Sequence, residues 1–138
     1  MDRLNTKSML TRRHIFVHSD DLCVLCNTSS DETIDHLFFT CPFVVQCWST
    51  IGFSWDISLN LMDRIFQASR VHNIPFFAEA FLIAAWELWK LRNDRVFDRQ
   101  NPCQARWFSN FKNQCLTQSV RFKADLRLAF GFWLDAIS

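Results

Sequence analysis

Tyrosine is missing from this sequence, glycine occurs at only two positions and proline at three. So few turn-formers exclude a β-rich fold with many tight turns and favour long helices. An excess of one charge is missing too, because the formal net charge is +1. That removes the strongly basic face used for general nucleic-acid binding, although a local basic patch is still allowed. No Gly-rich phosphate loop and no Ser/His/Asp pattern occurs, so neither nucleotide chemistry nor triad hydrolysis is indicated. A membrane span needs about 20 uninterrupted apolar residues. Glu79 and Glu87 break the longest apolar run, so no span is expected. There is no secretory h-region, internal repeat or low-complexity tract.

What is present is a long apolar inventory. Of 138 residues, 49% are hydrophobic, which suits one domain with a sizeable core and argues against disorder. Fifteen Phe and six Trp exceed what one small core is expected to cover, so some should line a groove or a self-association surface.

The stretch that organises the chain runs from Cys23 to Cys41. It has the spacing C-x₂-C-x₉-H-x₄-C, with Cys23, Cys26, His36 and Cys41 as a candidate Cys₃His zinc set. Zinc takes four N or S ligands tetrahedrally in a closed structural site. The two-residue gap lets a turn aim two sulfurs at one point, and a short helix around Asp35-His36-Leu37 brings the imidazole in from the other side. Cys41 closes the set just before Pro42. A redox C-x-x-C needs a βαβ context, and none is visible. With three cysteines used by zinc and no h-region before them, the chain is expected in a reducing compartment. Cys47, Cys103 and Cys115 then read as small apolar core residues.

Residues 1–18 are basic, with Arg3, Lys7, Arg12 and Arg13 against Asp2. Three readings stay open: a basic arm for nucleic acid, an amphipathic organelle presequence, or a solvated helix capped by Thr6 that packs Leu4, Met9 and Leu10 on the zinc module. Thr33 is a suitable N-cap for the His36 helix. Pro42 opens a helix carrying Val44, Val45, Trp48 and Ile51, and Gly52 stops it. Ser58 is expected to cap a helix through Leu61, Ile65 and Phe66, broken by residues 70–73. Pro75 opens a helix to about Phe97, roughly 35 Å long. It is apolar almost all round up to Trp89, so it should be the central buried helix. Asn101-Pro102 starts a last long helix from Trp107 through Phe122 to Phe130, which Gly131 should kink or end near Phe132. Its cationic residues, Arg106, Lys112, Arg121, Lys123 and Arg127, read as a solvated face, with a basic stripe as the alternative. The expected fold is mostly α. A small Cys₃His module at the N-terminal side packs on a bundle of about four to five helices, two of them long. One domain, 1–138, divides into a zinc-binding module, 4–55, and a helical body, 58–137.

Two strings carry a family resemblance. The first combines the segment from Leu4 to Arg13, Cys23-Val-Leu-Cys26, the run Asp31-Glu-Thr-Ile-Asp-His-Leu-Phe-Phe-Thr-Cys-Pro-Phe43, and Trp48. The second is Trp86-Glu-Leu-Trp-Lys-Leu-Arg-Asn-Asp-Arg-Val-Phe97. Together they resemble the zinc-binding domain at the C-terminal side of plant non-LTR (LINE-type) retroelement reverse transcriptases, from Leu4 to about Phe97. The resemblance implies that Cys23, Cys26, His36 and Cys41 bind structural Zn²⁺. It also implies that Trp48, Trp86 and Trp89 are core aromatics, and that the source is a plant and the origin a transposon. Neither a polymerase nor an RNase H domain accompanies the module, so the chain reads as a stand-alone fragment without those activities.

A catalytic zinc keeps an open position for water, and four protein ligands leave none. Cys47 lacks a histidine placed to activate it, and His14, His18 and His72 read as surface or capping residues. No enzymatic activity is expected. The preferred function is a protein-interaction module of a regulatory, inhibitor or toxin-like kind, with a two-fold homodimer through the aromatic-rich helices as one form. The alternative is a zinc-knuckle-type module for RNA or single-stranded nucleic acid, with Arg12, Arg13, His14, Arg92, Arg95 and Arg99 on phosphates. Nucleus or cytoplasm is the expected location, or the mitochondrion through the basic N-terminal segment.

Overall fold

A computed structural model describes residues 22–26, 30–98 and 100–138. The expected helix around Met9 and Leu10, with its Thr6 cap, lies outside them. Among the described residues the chain is helical with no strand, apart from one antiparallel bridge between Leu22 and Asp31. A π-helical turn, His36–Thr40, leads into α1 (Pro42–Thr50), α2 (Leu61–His72), α3 (Phe77–Phe97), α4 (Gln104–Ser119) and α5 (Ala124–Ile137).

Local signals explain most boundaries. Pro42 occupies the first turn of α1, where its missing N–H costs nothing. Gly52 follows with φ 79°, a left-handed conformation that suits glycine at a helix stop. The cap of α2 is Asn60, whose side chain accepts from the Asp63 amide at 2.9 Å. Ser58, the expected cap, is instead held in a turn, donating its amide and its hydroxyl to Asp56. Asn73, at φ 48°, ends α2 in the left-handed region that Asn tolerates.

The long final helix of the sequence reading is two helices. The chain turns at residues 120–123, where Arg121 and Phe122 bond back to Gln118 and Ser119. A straight helix to Ile137 would run roughly 50 Å from Gln104, well past the core. Folding back returns Phe130 and Leu134 to it and stacks Phe122 on Phe130 at 5.6 Å. Gly131 does not end α5, which continues to Ile137.

α3 is central, packing on both α4 and α2, with Ala80, Ala84, Leu88 and Leu91 buried along one side. It is not apolar-buried all round: Leu82 and Trp86 point outward, so Trp86 is not the core aromatic expected, and Trp89 is half-buried. Trp48 is buried as expected. The core also covers most of the aromatic inventory. One cluster gathers Phe39, Trp48, Phe53, Trp55, Phe77 and Phe81; a second gathers Phe76, Phe111, Phe130 and Trp133. Phe53 and Trp133, 5.9 Å apart, join them. Each such side chain stabilises the fold by about 1.5–3 kcal/mol through burial. Among the described aromatics only Phe66, Trp86, Phe97 and Phe132 stay exposed. No described helix is long and apolar enough to cross a membrane.

Candidate metal centre

The centre is assembled from three short pieces. The Leu22–Asp31 bridge and the Cys23 amide on the Ser30 carbonyl (2.9 Å) close the base of the first loop. Inside the C-x-x-C turn the Leu25 amide donates to Cys23 Sγ at 3.4 Å, as amides do to thiolate ligands. His36 enters from the second piece, where Thr33 Oγ1 caps its amide at 3.1 Å, the cap the sequence suggested. Cys41 comes from the end of the π-helical turn.

That turn explains the four-residue gap between His36 and Cys41. On an α-helix, positions five apart point about 140° away from each other. The chain widens instead, with the Cys41 amide bonded to the His36 carbonyl at 2.8 Å, five residues back. The wider turn returns residue 41 to the side of residue 36.

The result is a compact donor set. Cys23 and Cys41 sulfurs lie 3.9 Å apart, Cys26 Sγ lies 3.3 Å from His36 Nε2, and all four ligand atoms fall within 4.8 Å of one another. A zinc ion with bonds of about 2.3 Å to sulfur and 2.0–2.1 Å to nitrogen needs tetrahedral edges of about 3.5–3.8 Å. The donors fit that ion in type and spacing, and the group could hold zinc.

Hydrogen bonds at the site favour thiolate at Cys41. Its pKa is lowered, first by the hydrogen bond from Cys23 and further by the amides of Val44 and Phe43 at the start of α1. Cys23 shifts up, because it keeps the shared proton and is buried. Burial lowers the His36 pKa and so favours the neutral imidazole, the form that binds metal. Thr40 Oγ1 lies 3.3 Å from His36 Nδ1. With Nε2 on a metal, Nδ1 carries the proton and donates to this hydroxyl, which fixes the ring.

Behind the ligands stand Glu32 and Arg64, which the sequence did not single out, with Arg92, Asp35 and Trp48 in roles it did not suggest. Glu32 is buried and paired with Arg92 of α3. Asp35, next to His36, takes Arg64 of α2 at 3.0 Å; the same guanidinium donates to the carbonyls of Ile57 and Leu59 and lies over the Phe39 ring. Trp48 Nε1 donates to the Phe38 carbonyl at 2.7 Å, tying α1 to the π-helical turn.

Other expected site residues fall elsewhere. Arg92 cannot serve as a phosphate contact: it is 1% exposed and its guanidinium is engaged by Glu32 and Asn93. Arg95 is half-buried. Arg12, Arg13, His14, His18 and the side chain of Arg99 lie outside the described residues. His72 is half-buried at the end of α2, accepting the amide of Ser54 in the preceding loop and stacking on Phe53. Cys47 and Cys115 are core residues, both pushed up to about 12 chiefly by burial, whereas Cys103 is exposed rather than packed in the core.

A closed group of three thiols and one imidazole belongs to the class of small zinc-binding modules. The family model described as zinc-binding in reverse transcriptase matches residues 1–48, about a third of the chain, and over that span the chain is similar to that domain. The match contains all four metal-site residues and ends at Trp48, before the Trp86–Phe97 string. No curated protein and no solved structure matches the chain.

Proposed function

We propose that the chain is a structural-zinc module whose helical body recognises another protein. In this reading Cys23, Cys26, His36 and Cys41 are the four ligands, zinc is closed to substrate, and the chain is not an enzyme. Zinc binding then contributes folding free energy, because the thiolates converge only in the folded chain. One observation carries the reading: among the described residues large aromatic side chains stay at the surface while two arginines are turned inward. Phe66, Trp86, Phe97 and Phe132 are all more than half exposed, while Arg92 and Arg64 are buried against carboxylates and carbonyls. Aromatic side chains at the surface favour protein contacts.

Binding of RNA or single-stranded nucleic acid is the second reading. The match to a domain of reverse transcriptases favours it. Titrating zinc-loaded protein with labelled RNA and single-stranded DNA across a salt series separates the two. The interaction reading expects no salt-dependent affinity at low ionic strength. An affinity that falls steeply with salt supports the nucleic-acid reading instead. Capture of partners from cell extract, with and without nuclease, provides the second arm: protein partners should survive nuclease treatment.

A further inference from the structure

We infer that the outward face of α2 is a self-complementary surface that pairs two copies of this chain antiparallel about a two-fold axis. The inference deepens the protein-interaction reading and rests on it. α2 packs inward through Arg64 and Ala68 and turns Asp63, Phe66, Gln67 and Arg70 outward. At 100° per residue, Asp63 and Arg70 lie near the centre line of that face, with Phe66 between them and slightly to one side. These residues, with Leu59 and Val71, border a shallow groove of about 650 Å³.

Charge sets the orientation. Asp63 lies near the start of the helix and Arg70 near its end. An axis crossing the helix between Phe66 and Gln67 exchanges the positions of residues 63 and 70. Asp63 of one copy then faces Arg70 of the other, twice, and the two Phe66 rings meet at the centre. A closed two-fold pairing needs such a surface, one that complements itself. A parallel pairing would set like charges against each other. Both charges are available: among the described residues neither makes an ion pair, and Asp63 touches only its own helix cap. α3 offers a contrast. It also leaves Leu82 and Trp86 exposed, but its nearby cation, Lys90, is already held by Glu87 at 2.9 Å. That face has apolar area, and its free acid, Glu79, has no free cation opposite it to set an antiparallel register.

A face on one 12-residue helix is small beside the interfaces of obligate dimers, so the pairing is reversible and concentration-dependent. Sedimentation velocity on the full zinc-loaded chain, up to concentrations on the order of a millimolar, tests it. The unmodified chain should shift from monomer to dimer, and the shift should weaken in high salt. Asp63→Lys alone and Arg70→Glu alone should each reduce dimer affinity at least about tenfold, the range of desolvated charge pairs at interfaces. The double variant should restore it; Phe66→Ala should abolish it. These side chains are exposed, so helicity by circular dichroism should hold and mark any variant that merely unfolds. A chain that stays monomeric throughout overturns the inference, as does a double variant no better than the singles. Protein partners captured by such a monomer would leave the interaction reading standing; a dimer that captures no other protein supports this inference and confines that reading to self-recognition.

Discussion

Arg92 of α3 holds Glu32 by two hydrogen bonds, Nε to Oε2 at 3.2 Å and a terminal nitrogen to Oε1 at 2.9 Å, across sixty positions of sequence. The two side chains are 1% and 0% exposed. A planar guanidinium and a carboxylate match in this fork geometry, which lysine cannot reproduce. The pair ties the segment that delivers His36 to the central helix. Arg92→Met therefore leaves a buried carboxylate without its counter-charge and should cost about 3–5 kcal/mol. Urea unfolding of the zinc-loaded protein measures it. A cost below about 1 kcal/mol, the range of exposed pairs, contradicts the coupling.

Arg64 tests a different balance. Its side chain is 2% exposed, but that of its partner Asp35 is 59% exposed. Asp35→Asn therefore loses only a water-screened attraction and should change stability by about 0–1 kcal/mol. Arg64→Leu should cost more, because it also removes a buried guanidinium that donates to the part-buried Ile57 and Leu59 carbonyls, bonds worth about 1.5–3 kcal/mol when the donor is charged. Equal effects from the two substitutions would mean that the ion pair, not the carbonyl contacts, is what matters.

Zinc removal should act on the same unit. A chelator, Cys26→Ser or His36→Ala should each release the metal and lower the melting temperature sharply, since in the ligand assignment one shared ion would hold together four donors that lie within 4.8 Å of one another. Cys103→Ser should change little, because Cys103 is exposed and far from the site in sequence. Metal analysis and thermal melts of the three variants check this. Identical melts for all three contradict the ligand assignment.

The metal site was legible in the sequence because zinc ligands sit close together in the chain. The interval from Cys23 to Cys41 needs no knowledge of distant contacts. The helical class was legible for a related reason: apolar periodicity and caps such as Thr33, Pro42 and Gly52 are local. What stayed hidden was long-range or compensated. Arg92 reads as a cation for phosphates until Glu32 is seen beside it. The break between α4 and α5 carries no Gly or Pro; only Asp125, an acid in the first turn of α5, hints at a new helix start. Trp86 lies two positions before Leu88, about 200° round the helix, and faces outward; the run is so apolar that its pattern did not mark which side is buried.

Acid should destabilise the fold before most carboxylates titrate. Burial holds the His36 imidazole below its ordinary value of 6.5, against a smaller upward pull from Glu32. A group whose folded pKa is depressed contributes stability that is complete above the unfolded value and is lost as pH falls toward the folded one. Protons also compete with zinc for the imidazole and the thiolates, in the same direction. The urea midpoint should be flat above about pH 7 and should fall from about pH 6.5 downward. In His36→Gln the fall between about pH 6.5 and 5.5 should largely disappear. A midpoint that rises on acidification in the unmodified chain contradicts the assignment.

Thiol reactivity should sort the six cysteines into three groups. Cys103 is exposed and open to a maleimide reagent in the native state. Cys47 and Cys115 are fully buried, and burial pushes both up to about 12, so almost no thiolate forms and no reagent reaches them. Cys23, Cys26 and Cys41 are withheld differently: as zinc ligands their sulfur lone pairs are engaged by the metal. Mass spectrometry after brief labelling should therefore find one modified cysteine in the zinc-loaded chain. Adding a chelator should expose the three ligand thiols and raise the count to four, while full denaturation should reach six. The intermediate step carries the information. Labelling that passes from one directly to six on chelation means that zinc holds the whole helical body together. Labelling of the three ligand thiols before any chelator is added means that they do not bind the metal.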